Sequence, residues 1–469
     1  MTLAPGRIWQ AALRHVLCRV MLKNHDLTRG PILPAVLRLA GPAVLMMMLQ
    51  GMYNFMDTFF VGALGANALA GISTGGFILW MTFALSNLIG VGLGAKVSRR
   101  IGEGDQEEAE CTALRGLVYC TALSVLVAVP LYFLQGPLFT FMQTTPTVTR
   151  IGIDYMTPLL FGLPTIFLSF AMTAVFNAAG DTATPFILML LSLAFNAVLA
   201  PILIFGMAGA PMMGVAGAAW ATVIARAFWI VLALRHLLSK RSVISLRAHG
   251  RLGATWADMI ELFRIGAPKA STGVLFAAVY MALTRVTSHY GTPNVAALRL
   301  GHIYEGLSFF TAIGFSIAAS TMVGQNLGAG KPERAARAAW VASGIVFAFT
   351  TLVALLFRFG AAALTGVFST DRAVIEAGAS YLIILAWSQP FMGIELTLEG
   401  AFNGAGDTVR PMAIQLPLTV LRYPFALLLC FTLGFGVNGV WWAITGSSII
   451  KGALMALWFW RGRWARTKV

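Results

Sequence analysis

Charge is scarce in this chain. Asp, Glu, Lys and Arg make up 11% of it, where a soluble domain carries roughly a quarter, so an ordinary water-exposed globule is excluded. Cysteine is nearly absent. Cys18, Cys111, Cys120 and Cys430 form no CxxC pair or metal-ligand spacing, so they read as reduced or lipid-buried thiols, and no metal site is expected. A serine-histidine-acid set, a zinc spacing and a dinucleotide fingerprint in a strand context are all missing, so neither a catalytic residue nor a cofactor is expected. Two glycine-rich stretches, 90–96 and 328–331, miss the GxxxxGK[ST] spacing of a phosphate loop, and Pro332 stands where Ser or Thr should follow Lys331. They read as places of close helix packing instead. The first 30 residues lack a clean apolar segment before a cleavage site, which predicts a basic amphipathic lead-in at the membrane surface rather than a cleaved leader.

Apolar sequence is abundant. The chain is 58% hydrophobic, with a mean hydropathy of +0.79 over 469 residues. Crossing a hydrocarbon layer of ~30 Å takes about 20 apolar residues per helix, and twelve such runs occur, at roughly 34–62, 66–95, 113–135, 153–178, 184–207, 214–237, 260–288, 294–322, 338–360, 376–402, 411–433 and 437–460. They predict an all-α polytopic membrane protein embedded in the lipid bilayer; a bacterial inner membrane is the expected location.

The net charge of +15 could suggest a nucleic-acid partner, but its distribution follows the positive-inside rule instead. Lys96, Arg99 and Arg100, then Lys240, Arg241, Arg247 and Arg251, then Lys331, Arg334 and Arg337, and finally Arg461, Arg463, Arg466 and Lys468 all fall on connections of one side. The other side is nearly empty of base. Both termini are therefore expected in the cytoplasm, and no nucleic acid is expected as partner.

The chain also repeats itself. Phe176-Asn177-Ala178-Ala179-Gly180-Asp181-Thr182 recurs 226 positions later as Phe402-Asn403-Gly404-Ala405-Gly406-Asp407-Thr408. The same shift places Pro42 on Pro268, Gly102 on Gly328, Tyr155 on Tyr381, Pro164 on Pro390 and Pro185 on Pro411. Beyond a four-residue difference in one turn, Gly214, Gly217 and Trp220 fall on Gly436, Gly439 and Trp442. Six spans per half is an even number, so the expected architecture is two six-helix bundles related by a parallel internal repeat, with substrate at their interface. The expected division is a basic lead-in at 1–33, an N-terminal lobe at 34–237, a linker at 238–258, a C-terminal lobe at 259–460 and a tail at 461–469. The repeated heptapeptides read as turns that start the spans after them.

Positions where the halves differ carry more functional information than those they share. Asp57 matches Leu283, Asn196 matches Arg422, and Glu395 matches Ser169, so the fold does not demand those polar groups. An ionisable side chain inside a span is a functional candidate by default, and a buried carboxyl such as Asp57 is a candidate proton carrier. An interfacial cap is its alternative.

The motifs Met56-Asp57-Thr58-Phe59-Phe60-Val61-Gly62, Val323-Gly324-Gln325-Asn326-Leu327-Gly328-Ala329-Gly330, Gly404-Ala405-Gly406-Asp407-Thr408, and Ile204-Phe205-Gly206 followed by Gly214-Val215-Ala216-Gly217-Ala218-Ala219 occur in the order found in one family. Over about 26–464 the chain resembles the multidrug and toxic compound extrusion (MATE) transporters. The resemblance implies a twelve-span, two-lobed antiporter that expels organic cations and other amphipathic compounds in exchange for protons or sodium, with an acidic site built around the aspartate of span 1. It implies a coupling site of Asp57, Asn196, Thr222 and Thr58. Where the family often reads Asn-x-x-x-Asp-Pro in span 5, this chain reads Asn196-Ala197-Val198-Leu199-Ala200-Pro201. With one carboxylate missing, the expected coupling ion is the proton rather than sodium.

The C-terminal half holds its own ionisable groups, and all of them but Lys451 are further substrate-cavity candidates. Arg299, His302 and Glu305 lie in span 8, Glu395 and Glu399 one turn apart in span 10, Arg422 in span 11, and Lys451 in span 12. Like charges four apart repel, so one glutamate is protonated or a cation answers it. Glu395 at roughly 15 Å depth and Arg422 at roughly 20 Å could pair, either as a structural ion pair or in binding. His302 reads equally as a packing residue. Methionines 46, 47, 48, 52 and 56 with Phe55, Phe59 and Trp80 would suit a greasy pocket, though most of them must face lipid or core. The expected function is an alternating-access exporter of small lipophilic, cationic compounds, acting as a monomer. A flippase for lipid-linked precursors is the alternative, followed by a membrane-embedded enzyme.

Overall fold

The structure is a computed structural model that describes residues 26–142, 145–239, 242–246 and 255–467. The lead-in up to residue 25 with Cys18, much of the expected linker, and the last two residues of the tail lie outside the described residues. Among the described residues fourteen α-helices follow one another: α1 (Ile32–Gly62), α2 (Ala66–Glu103), α3 (Gln106–Phe141), α4 (Pro146–Phe161), α5 (Leu163–Ala178), α6 (Ala183–Phe205), α7 (Val215–Leu237), α8 (Trp256–Ser288), α9 (Thr292–Gly328), α10 (Pro332–Phe368), α11 (Arg372–Leu385), α12 (Gln389–Gly404), α13 (Val409–Leu427) and α14 (Asn438–Trp460). Helices α11 and α12 join through a single 3₁₀ turn into one span, and α4 and α5 meet at a 54° bend; counting that pair as one broken span gives twelve.

The repeat explains where the helices break. Pro164 and Pro390, matched across the two halves, stand in the first turns of α5 and α12, where a missing N–H breaks no helical hydrogen bond. Starts are capped locally. The Thr145 hydroxyl accepts from the Val148 N–H ahead of α4, and Thr255 and Asp258 form a reciprocal capping box at the start of α8. Gly65 and Gly291 (φ 106° and 97°) turn the chain at the starts of α2 and α9, a conformation an L side chain would strain.

Each half packs around its own apolar interior. Leu163, Phe167, Ala171 and Phe176 of α5 centre the N-terminal lobe, while Tyr381 and Trp441 centre one core of the C-terminal lobe. The first half of α1 crosses over: Val36, Leu39 and Ala40 belong to a core with Phe402 and Phe459. The lobes join along seams of α1 against α9, α2 against α8 and α2 against α9.

At the basic end the seams close by a symmetric glycine contact. A Cβ on Gly102 would lie 2.0 Å from the carbonyl oxygen of Gln325, and one on Gly328 would lie 2.1 Å from that of Arg99. Residues 99 and 102 are the repeat partners of 325 and 328, so one contact is made twice. Beside it, the Thr321 hydroxyl donates to the Asn177 carbonyl and the Gln325 amide to that of Ala178, both at 2.8 Å. Arg334 donates to the backbone carbonyls of Arg29 and Gly30, also at 2.8 Å. The lobes are locked together at this end.

A side chain on Gly102 meets backbone that cannot rotate away, so Gly102→Val should part the lobes there. Maleimide labelling of a cysteine placed at Asn177 is expected to rise by about tenfold in that background, as a shift of about 1.4 kcal/mol between closed and open forms requires. Unchanged labelling would show that the glycine contact does not hold the end shut.

Candidate functional site

Asp57 is buried in the N-terminal lobe. Helical spacing puts Gln50, Tyr53 and Asp57 on one face of α1, and Thr222 and Arg226 on one face of α7. The Thr222 hydroxyl is 3.3 Å from both carboxylate oxygens of Asp57, and the Tyr155 hydroxyl of α4 donates to Oδ2 at 3.5 Å. Asn196 of α6, fully buried, donates its amide to Thr222 Oγ1 at 3.3 Å. The structure thus gathers Asp57, Asn196 and Thr222. Ala200, one turn further along α6, is buried close to Asn196 in sequence and adds no oxygen beyond its backbone.

Thr58 is placed elsewhere. It is exposed, and its hydroxyl donates to the Asn54 carbonyl of its own helix at 2.8 Å. The physical reason is the 100° turn per residue, which points neighbours of a buried helical residue away from it. Tyr155 was not expected in this cluster. As a residue shared with Tyr381 of the other half, it reads as a packing feature.

About one turn below Thr222, roughly 6 Å along the axis, lies Arg226, which the sequence reading also passed over. It is 7% exposed. Its Nη1 donates to Ser169 Oγ and its Nη2 to Gln50 Oε1, each at 3.3 Å, and the guanidinium lies 5.5 Å from the centroid of Tyr53 and 5.7 Å from that of Phe170. Nε has no hydrogen-bond partner. Tyr53 is itself fixed: Ser192 donates to the Ala225 carbonyl, leaving the Tyr53 hydroxyl to donate to Ser192 Oγ at 2.5 Å.

Arg226 faces a cavity of about 310 Å³ between the lobes, at the small end of the roughly 300–1,000 Å³ of small-molecule sites. Met46, Met47, Phe170, Met189, Trp229 and Ile317 give it apolar walls. Asn177 and Asn403, the matched asparagines of the repeated heptapeptide, both line it. Those heptapeptides do make turns, with Gly180 and Gly406 at φ 83° and 77° and Asp181 Oδ1 accepting from the Thr184 N–H. Their asparagines reach the chamber as well. Phe55 and Phe59 are exposed and lie outside the lining.

None of the six cavity candidates of the C-terminal half is on this lining. Glu395 and Glu399 each have their own cation: Lys451 lies 2.9 Å from Glu395 and Lys269 2.6 Å from Glu399. The expected Glu395–Arg422 pair is not formed. Arg422 donates instead to Ser447, Ser448 and the Tyr280 hydroxyl at 2.6, 2.8 and 3.3 Å. Arg422 differs from Lys451 in the direction it leaves its helix, which depth alone does not give. His302 lies 3.4 Å from Glu305 and packs its ring 5.1 Å from Tyr280, while Arg299 is exposed. Among the described residues no group of three His, Cys, Asp or Glu side chains is placed to hold a metal.

Comparison with known proteins places these features. A family model described as MatE matches residues 42–202 and 268–428, once in each repeat and at the same shift. A Thermotoga maritima protein named "probable multidrug resistance protein NorM" is 27% identical over 442 residues, covering 92% of this chain and 93% of that protein. A Shewanella oneidensis protein named FAD transporter is 28% identical over 453 residues, covering 93% of each. Among solved structures, an outward-facing multidrug resistance MATE transporter superposes with a TM-score of 0.88 at 23% identity, covering 95% of this chain and 99% of that one. A Pyrococcus furiosus transporter of the MOP superfamily, described as having a binding pocket of reversed polarity, gives 0.87 at 23% identity with the same coverage.

Proposed function

The chain belongs to the MatE family, and on that premise we propose that it exports lipophilic compounds across the inner membrane in exchange for protons. It is a multi-pass integral membrane transporter of the multidrug-efflux type and not an enzyme. The observation that carries the coupling assignment is Asp57, a buried carboxylate held by Thr222 and Tyr155 and backed by Asn196. Sodium would find one carboxylate there and otherwise neutral oxygens; a proton needs only the carboxylate itself. Alternating access follows from the two lobes. With the basic end in the cytoplasm, the described conformation is closed to that side, and uptake of a proton by Asp57 alters its contacts between α1, α4 and α7. A ligand shifts such an equilibrium only through different affinity for the two states, and these contacts supply the difference.

Substrate identity is not fixed by family membership, since relatives of similar identity are named for drugs and for FAD. The walls favour an apolar body. A cationic substrate would meet no carboxylate on the cavity lining, where the charged residues are Arg226 and Lys269. The proposal therefore specifies lipophilicity and not positive charge.

Purified protein in liposomes containing a pH-sensitive dye tests it. Adding the lipophilic dye Hoechst 33342 is expected to drive protons in the direction opposite to the substrate under an imposed pH gradient, with no response to a sodium gradient. Drive by sodium alone would remove the proton assignment, and no drive by either ion would remove the exporter.

A further inference from the structure

We propose that Arg226 is a subsite for an oxyanion, a carboxylate or phosphate carried by an otherwise apolar ligand in the central cavity. This rests on the cavity being the substrate chamber, and it is independent of which ion drives transport.

Among the described residues, the buried and half-buried cations inside the lobes are answered in different ways. Lys269, also on the lining, is paired with Glu399; Lys451 is paired with Glu395; Arg422, off the lining, is satisfied by three hydroxyls. Arg226 alone of these combines a place on the lining with the lack of any carboxylate within ion-pair distance. Its hydrogen bonds are to neutral oxygens at 3.3 Å, at the long end of the range, and both acceptors, Gln50 and Ser169, line the same cavity. Its Nε is unpartnered. A cation this deep in a membrane protein is costly and marks a substrate or ion path.

The geometry suits one ligand chemistry. A guanidinium presents a planar fork that matches carboxylate and phosphate with two parallel hydrogen bonds, and such bonds would be shorter than those to Gln50 and Ser169. The rings of Tyr53 and Phe170 lie within cation–π range of the guanidinium. On the same lining, Met46, Met189 and Ile317 offer apolar contact to the rest of the ligand. The competing assignment makes Arg226 an internal counter-charge for Asp57, one turn away through Thr222, with no ligand of its own.

Three probes of one shape separate these roles: 2-naphthoate, neutral 2-naphthamide and cationic 2-naphthylmethylammonium. Binding to the full-length protein in detergent is read by quenching of tryptophan, Trp229 being on the lining. The wild type is expected to bind naphthoate at least about tenfold more tightly than either isostere. Arg226→Gln should erase that preference while leaving naphthamide affinity within about twofold, which also shows an intact cavity, and Arg226→Lys should restore part of it. Displacement of naphthoate by dihexanoyl phosphatidylglycerol but not by dihexanoyl phosphatidylcholine would identify a lipid headgroup as the source of the oxyanion, and displacement by neither would identify a free solute; either supports the subsite. Equal binding of the three probes, or a naphthoate preference that survives in Arg226→Gln, overturns it. No binding of any probe to the wild type counts against the chamber itself, and so against the export reading and this subsite together.

Discussion

Replacing Asp57 by Asn is expected to bring proton-driven export in proteoliposomes down to the rate of protein-free vesicles. The substitution keeps shape and hydrogen-bonding capacity but removes the group that can exist in two charge states. Thr222 and Tyr155 can still donate to the remaining oxygen, so the protein should purify monodisperse and still bind 2-naphthoate at Arg226. Thr222→Val is a graded companion. It takes away the hydroxyl that lies 3.3 Å from both carboxylate oxygens, and a hydrogen bond to a charged group contributes about 1.5–3 kcal/mol. Its rate should fall by about tenfold or more without reaching background. Export at the wild-type rate by a folded Asp57→Asn protein would move the coupling site elsewhere, and loss of folding in that variant would show the carboxylate to be structural.

Much of this arrangement was legible in the sequence because the chain carries an internal control. Features shared at the 226 shift proved to be where the halves do the same mechanical work: Pro164 and Pro390 start the helices after the matched breaks, and Gly102 and Gly328 make one contact twice. Features that differ gathered around the two lobes' polar centres. The filter has a blind side, which Tyr155 shows: it is shared with Tyr381, yet only Tyr155 has an aspartate to donate to. Arg226 was legible and was passed over. At the four-residue offset of the last spans it falls on Ser448, an asymmetry of the same kind as Asp57 with Leu283. In the structure Arg226 bonds Ser169, the counterpart of Glu395, while Arg422, the counterpart of Asn196, bonds Ser448. The N-terminal lobe holds an arginine of α7 against a serine of α5, and the C-terminal lobe an arginine of α13 against a serine of α14.

What sequence could not give is azimuth. Depth along a helix follows from residue number at 1.5 Å each, and depth alone allowed Arg422 as the partner of Glu395, a place that Lys451 takes. Which cation turns toward the glutamate depends on how α12, α13 and α14 are rotated about their axes. Those rotations come from packing of many small contacts, such as Gly452 against the Phe391 carbonyl, where a Cβ would lie 2.4 Å from the oxygen. Glycine there lets α14 approach α12 closely enough for Lys451 to reach Glu395.

That pair should show its structural character as a loss of stability that a second substitution reverses. The side chains of Glu395 and Lys451 are 5% and 6% exposed, and Gln415 donates to the same carboxylate oxygen at 3.3 Å. Removing one partner of a buried pair leaves the other charged without an answer and costs about 3–5 kcal/mol, whereas replacing both is often near neutral. Lys451→Met alone is therefore expected to shorten sharply the half-life of monodisperse protein in detergent at fixed temperature. Glu395→Gln combined with Lys451→Met should recover most of it, since the amide oxygen still accepts from Gln415 and no charge remains. If the pair serves the fold, the double variant also exports at a rate close to wild type. If Glu395 takes part in moving substrate or ion, the double variant is stable and inactive, and the two outcomes separate a charge that holds the C-terminal lobe together from one that works in the cycle.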